Sequence, residues 1–305
     1  MFQGYLASAQ RDALKRVAPT TANLYKQHID NYIVFMKMCP DAPPAFPITV
    51  NNILAYLQRM KDKGLCYGTL RNAVSAFADY FKRNRIEDLT KREEVSSFMD
   101  NNRRVMNGDQ APFQTNPINK DMMTLICELP INSYGKKRNI AMITTQFYTL
   151  MRVSELISLN VEDLEISDEC ITIRIKRSKT DQYGAGRNVV IWKQENVITN
   201  PYKYILRWLD ELPPHYKGPL FIGKKDTRYT ANAYRRAVKV LAKKVGYDPN
   251  DYSSYSLRRG GAAYMGISSI SAGAIKTIGG WNSSVFLRYI ELDEAAAAKE
   301  IKKLK

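Results

Sequence analysis

Apolar residues recur at helical spacing through the first hundred residues. Leu70, Val74, Phe77 and Phe81 fall three or four apart and make one face, so 67–84 reads as an amphipathic helix. The same period predicts helices over roughly 3–16, 20–38, 49–62 and 91–106. Pro40, Pro43, Pro44 and Pro47 keep the second and third of these apart, because the proline ring cannot continue a helix. Thr20 or Thr21, Thr49 and Thr90 stand where N-caps belong, and Glu93 would complete a capping box with Thr90. Beyond residue 118 the pattern changes. A helix over about 119–129 precedes a stretch, 139–159, that is apolar nearly all round and reads as helix. Cys170 to Lys176 then alternates, with Ile171, Ile173 and Ile175 on one face: a strand. A turn over 177–187 leads to a returning strand, Asn188 to Trp192. A helix at 197–211, a short strand at 220–222 and a basic helix at about 230–245 follow. Short helices then run between Gly260-Gly261, Gly273 and Gly279-Gly280.

Residues 107–117, NGDQAPFQTNP, have linker composition. The chain therefore divides into an all-α region over 1–106 and a mixed, mostly helical region over 118–305 with a small antiparallel sheet. Its 305 residues are 45% hydrophobic and 25% charged, enough for packed cores. The net charge of +16 points to a polyanionic partner, nucleic acid first and an acidic membrane surface second. Cys39, Cys66, Cys127 and Cys170 are widely spaced without a CxxC pair, so they read as free thiols rather than a zinc or redox motif. With only His28 and His215, a histidine-rich metal site is excluded and a Ser-His-Asp hydrolase would depend on one of those two. No metal and no cofactor is expected. The N-terminal MFQGYLASAQRDALKR lacks the apolar core of a signal peptide, and no apolar run is long enough to span a membrane. A soluble intracellular protein is expected.

Four positions stand out chemically. Arg152 lies in the apolar stretch, where a guanidinium is costly unless it is paired or faces an anion. Glu155, three residues on, shares its face; a buried ion pair is the plain alternative. Arg258 falls in the first turn of a helix that Ser254 or Ser256 would cap, where free amides collect phosphates and Gly260-Gly261 would allow close backbone approach. An ordinary basic helix start looks the same. Lys179 sits in the strand-to-strand turn, where lysines are normally solvent decoration. Tyr289 closes the segment Trp281–Tyr289, where a core role is the default. Two basic runs could touch DNA: Arg71, Lys82, Arg83 and Arg85 in one helix, and Arg228, Tyr229, Asn232, Arg235, Arg236 and Lys239 across a helix start.

Taken in order, Arg152-Val-Ser-Glu155, Lys179, Tyr255-Ser-Leu-Arg258, Gly279-Gly280-Trp281 and Tyr289 resemble the tyrosine recombinase (phage integrase) family. The resemblance covers the whole chain, since that family joins a helical core-binding (SAM-like) domain to a catalytic domain. Ser-Leu-Arg-Arg-Gly-Gly-Ala and the short Trp281-to-Tyr289 spacing look most like integrases of Crypton and DIRS mobile elements. The family implies site-specific recombination of double-stranded DNA through a covalent 3′-phosphotyrosine on Tyr289, without metal or ATP. Arg152 and Arg258 would clamp the scissile phosphate, Trp281 would pack and donate, and Lys179 would protonate the leaving 5′-oxygen. Tyr255 stands where the family usually has His; a phenol can donate to phosphate but is a poor base at neutral pH. Glu155 fills a place often held by an acidic residue and would support Arg152. A dimer on each site, a tetramer on two duplexes, and a tail at 293–305 docking into a neighbouring protomer are also implied. So is a location at DNA, in the nucleus of a eukaryote or otherwise at the nucleoid. The rival readings are a DNA-binding protein of the same fold with impaired catalysis, and a metal-dependent nuclease. The latter needs acidic residues that the strands at 170–176 and 188–192 lack.

Overall fold

Pro19 opens the first helix, α1 (Pro19–Met38), with Ala18 at the N-cap. Its preset φ suits that position, so Thr20 and Thr21 lie inside the first turn and do not cap. The computed structural model describes residues 17–108, 115–176, 186–223 and 226–290. It separates into two units that divide between Phe113 and Gln114. The helix expected over 3–16 and the tail at 293–305 lie outside the described residues, as does Lys179.

In the first unit α2 (Val50–Asp62), α3 (Tyr67–Asn84) and α4 (Glu93–Gly108) follow α1. Thr49 caps α2 by accepting the Asn52 N–H at 3.2 Å. Thr90 caps nothing. It sits in a 3-10 turn, Leu89–Lys91, where Asp88 accepts its N–H at 3.1 Å, and α4 starts only at Glu93. Leu70, Phe77 and Phe81 of α3 pack with Tyr32 and Met36 of α1, Ile53 and Leu57 of α2, and Val95 and Met99 of α4. Each such fully buried side chain contributes about 1.5–3 kcal/mol, which is why the 3.6 period was readable from the sequence.

The second unit holds α5 (Lys120–Glu128), α6 (Tyr134–Thr149) and α7 (Val153–Ser158), then strands β1 (Leu164–Ile166), β2 (Cys170–Ile175) and β3 (Arg187–Trp192). Helices α8 (Pro201–Leu209), α9 (Ala231–Lys244), α10 (Ser254–Ile267), α11 (Ala272–Gly279) and α12 (Leu287–Ile290) complete it. The sheet is antiparallel in the order β1-β2-β3. Ile171, Ile173 and Ile175 of β2 and Val189 and Ile191 of β3 line its buried face. Strand β1 is three residues long, too short for alternation to announce it. Leu220–Ile222 is not a strand; Pro219 and Ile222 make isolated bridges to Asn160 and Arg228.

Two local features position the site. The apolar stretch 139–159 is not one helix. Leu150 takes a left-handed conformation (φ 54°) and ends α6, at a cost of about 1–3 kcal/mol. The Gln146 amide donates to Met151 O at 3.0 Å and accepts from the Tyr234 hydroxyl at 2.8 Å, which pins the turn. Arg152 consequently emerges at the N-cap of α7 rather than in mid-helix. The second feature is α10, capped by Ser253 and not by Ser254 or Ser256. Ser253 Oγ accepts the Tyr255 N–H at 3.2 Å, and Ser256 Oγ accepts the Ser253 N–H at 3.0 Å. Gly260 and Gly261 leave no room for a phosphate. A Cβ on them would lie 1.8 Å from Ile118 O and 2.0 Å from Phe147 O, so they let α10 press against α6 and the chain entering α5.

Candidate active site

Arg152 begins where α7 begins, and Glu155 folds back on it. The Glu155 carboxylate accepts the Arg152 backbone N–H at 2.8 Å and its Nη1 at 2.9 Å, while Arg152 Nη2 donates to Gly280 O at 3.1 Å, 128 residues away. Glu155 is 1% exposed and has a second cationic partner, Arg187, whose Nη1 and Nη2 lie 3.3 and 3.0 Å from its oxygens. Burial pushes the Glu155 pKa up. The hydrogen bond and charge of Arg187, with the backbone N–H and charge of Arg152, outweigh it and hold the carboxyl below its ordinary value.

Arg258 reaches the same place from α10. It is 2% exposed, donates to Leu150 O and, at 2.9 Å, to Gly279 O, and lies 3.8 Å from the Trp281 ring centroid. Burial pushes its pKa down to about 10, helped by the charge of Arg152, so it remains cationic at neutral pH. Trp281 packs against Phe286, with ring centroids 5.6 Å apart. Gly279 and Gly280 make this corner possible. A Cβ on Gly279 would lie 1.8 Å from the Trp281 ring, and Gly280 (φ 61°) ends α11 in the left-handed region against the Arg187 guanidinium. Among the described residues the corner thus gathers three guanidiniums around one carboxylate, and the excess positive charge suits an anion.

The tyrosines form the open side. Tyr255 is 48% exposed, and its hydroxyl shares a hydrogen bond with that of Tyr289. The Tyr289 ring lies 6.2 Å from Trp281, and Arg259 sits 5.6 Å over it while donating to Thr115 O. Burial and the hydrogen bond with Tyr255 push the Tyr289 pKa up to about 12, against the lowering charges of Arg259 and Arg258.

The structure therefore brings together Arg152, Glu155, Tyr255, Arg258, Trp281 and Tyr289. Arg187 and Arg259 were not singled out in the sequence. The signal for Arg187 was there: the inward phase of Val189 and Ile191, run back two residues, ends on it. The basic runs fare differently. Arg71 and Lys82 are exposed on α3, but Arg83 is paired with Asp79 at 2.5 Å. The Arg228 guanidinium is committed to Ile157 O, Leu159 O and Asn160 Oδ1 at 2.6, 3.1 and 2.7 Å. Arg235 and Arg236 are exposed on α9, Arg235 donating to Asn232, and Lys239 is partly buried.

Residues 117–295, more than half of the chain, match the model of the phage integrase family. The chain belongs to this family of tyrosine recombinases. It is 24% identical over 232 residues to tyrosine recombinase XerD of Oceanobacillus iheyensis, covering 75% of this chain and 73% of that one. It is 25% identical over 248 residues to tyrosine recombinase XerC of Escherichia coli, covering 80% and 76%. Among solved structures it resembles the XerH site-specific recombinase bound to a palindromic difH substrate (TM-score 0.65, 17% identity, 92% of this chain and 78% of that one). It resembles equally a lambda integrase dimer bound to a COC′ core site (TM-score 0.65, 17% identity, 96% and 79%). At those identities the likeness speaks for the recombinase fold, a mostly helical chain with a small antiparallel sheet.

Proposed function

We propose that the protein is a site-specific DNA recombinase that cuts and rejoins strands by transesterification, with Tyr289 as nucleophile. The observation that carries this reading is the convergence of Arg152, Arg258 and the Tyr289 ring on the Gly279–Trp281 corner. Arg152 and Arg258 hold the non-bridging oxygens of the scissile phosphate and take up the charge that grows on them during in-line attack. Tyr289 Oη bonds to phosphorus and the bond from phosphorus to the 5′-oxygen breaks, leaving a 3′-phosphotyrosine and a 5′-hydroxyl. Lys179 supplies the proton to the leaving oxygen. The Tyr289 proton passes through the exposed Tyr255 hydroxyl to water. Attack by a 5′-hydroxyl of a partner strand reverses these steps and reseals the DNA, conserving the bond energy without ATP. Trp281 holds the Arg258 guanidinium in place, and its indole N–H is available as a further donor.

Double-stranded DNA is the partner, supported by the net charge of +16 and by the DNA in the XerH and lambda integrase structures. Arg71, Lys82, Arg235, Arg236 and Lys239 contact phosphates, which position the duplex without reading its sequence. A dimer binds each site and a tetramer joins two duplexes, with the tail at 293–305 passing between protomers. The mobile-element type rests on the Ser256–Ala262 phrase and the Trp281–Tyr289 spacing. The test is Tyr289→Phe in the full chain. We expect the variant to retain DNA but to form no SDS-resistant covalent adduct, and wild-type adduct to form in EDTA as well. An adduct that survives the substitution removes Tyr289 from the role. Wild-type protein that binds DNA yet never forms one is the catalytically impaired binding protein instead.

A further inference from the structure

Arg187 is the first residue of β3 and pairs across the sheet with the buried Ile175. Residues directly opposite in an antiparallel pair share a face, so its side chain leaves the sheet inward, in phase with Val189 and Ile191. Two segments of the site meet on it, α7 and the end of α11. It donates to both oxygens of Glu155 at 3.3 and 3.0 Å, and its Nε donates to Ile278 O at 3.3 Å. A Cβ on Gly280 would come within 2.9 Å of its Cζ, so the guanidinium is pressed against the turn that leads into Trp281. A cation this enclosed persists only where its partners compensate for lost water.

We propose that Arg187 is a positioning residue for strand cleavage, holding Glu155 and the Gly279-Gly280 turn so that Arg152 is fixed toward the scissile phosphate. The proposal rests on the function given above and extends it to a residue that acts through its neighbours. Among the described residues Glu155 has four donors: the Arg152 N–H and Nη1, and two nitrogens of Arg187. Without Arg187 half of these are gone. Arg152 is then free to turn both its nitrogens onto the carboxylate, drawing Nη2 away from Gly280 O, where the structure holds it. The turn loses its brace on the opposite side in the same step.

The charged groups facing Glu155 among the described residues are Arg152 at the start of its own helix, Arg187 from β3 and Arg258 from α10. All are cationic and all favour the carboxylate. Removing Arg187 raises the Glu155 pKa, so the acid side of the cleavage profile moves toward neutral pH. A side chain that merely packs would lower stability without moving that limb.

The experiment uses full-length protein and a radiolabelled duplex pool of randomised sequence, enriched beforehand for retention by the wild type. Adduct formation is timed across pH, and DNA retention is measured alongside. For Arg187→Gln we expect adduct formation ~10- to 100-fold slower, the range of a slightly misplaced catalytic group, an acid limb at higher pH, and retention within about threefold because its guanidinium is engaged by Glu155 and Ile278 O. The double variant Glu155→Gln, Arg187→Gln should be no more than about twofold slower than Glu155→Gln alone, because the two act as one unit. Arg187→Lys, which keeps the charge but not the fork, should fall between wild type and Arg187→Gln in rate and limb; it carries the test if Arg187→Gln does not fold. Wild-type rate and pH profile in the variant that folds, or losses that add in the double variant, overturn the proposal. An absent wild-type adduct would instead sink the recombinase reading, so the two failures are distinguishable.

Discussion

The two sides of the candidate site are built to opposite specifications. On the side proposed to hold the phosphate Arg258 and Glu155 are 2% and 1% exposed. Arg152, Arg187 and Arg258 each donate to at least two acceptors on other segments or on Glu155. On the side of the proposed nucleophile Tyr255 is 48% exposed, and the Tyr289 hydroxyl is held through Tyr255. Electrostatic stabilisation works by not having to reorganise when charge develops, so it is worth burying and locking. A nucleophile that must reach phosphorus and later release it gains from a looser hold. On the proposed mechanism the locked side would lower the barrier and the open side would carry the motion.

The largest expected effect comes from breaking the locked side. Arg258→Ala removes the donor to Leu150 O and Gly279 O and the cation over Trp281. Cleavage should fall by ~10²- to 10³-fold, the range for losing one preorganised donor, with DNA retention largely kept. Adduct kinetics read it. Cleavage within about tenfold of wild type would mean that the guanidinium serves the fold and not the phosphate. Gly279→Ala attacks the same corner without removing a charge. The new Cβ would overlap the Trp281 ring at 1.8 Å, so the indole must leave Arg258. A loss of about 1–3 kcal/mol in chemical denaturation, the range for overpacking, should accompany slower cleavage. Normal stability would show that the ring has somewhere else to go.

The same contrast governs what the sequence disclosed. Helices with one apolar stripe were legible, because burial imposes the 3.6 period, and β2 was legible because Ile171, Ile173 and Ile175 alternate. The motif order pointed to Arg152, Arg258 and Tyr289, which the structure brings to one corner. The locking was not legible. The break at Leu150 is made by Gln146 together with Tyr234 and Arg258; the last two are distant in sequence, and an apolar run carries no sign of them. Arg187 escaped because the apolar alternation marks the return strand only from Asn188, although its inward phase extends back to Arg187. Gly260 and Gly261 suggested a phosphate and instead accommodate two backbones. Whether Arg83 or Arg228 is free for DNA depends on Asp79 in one case and on three oxygens of other residues in the other. Only the Asp79 partner, four residues away on the same helix, was visible in the sequence.

The smallest effect should come from the open side, where two consequences oppose each other. Tyr255→Phe removes the hydroxyl that shares a hydrogen bond with Tyr289. That bond helps keep the proton on Tyr289 and its pKa near about 12, so its loss lowers the pKa and enlarges the phenolate fraction at any given pH. On the proposed mechanism the substitution also removes a donor to the phosphate and the path by which the proton leaves. The net change near neutral pH should stay within about tenfold, well below the cost of an oxyanion donor on the locked side. The sign appears in the pH profile. While Tyr289 is protonated, its reactive fraction grows about tenfold per pH unit, so wild-type cleavage should climb with pH on the alkaline side. In Tyr255→Phe that climb should begin and level off at lower pH. A profile that keeps its position would mean that the two hydroxyls have already parted when Tyr289 attacks.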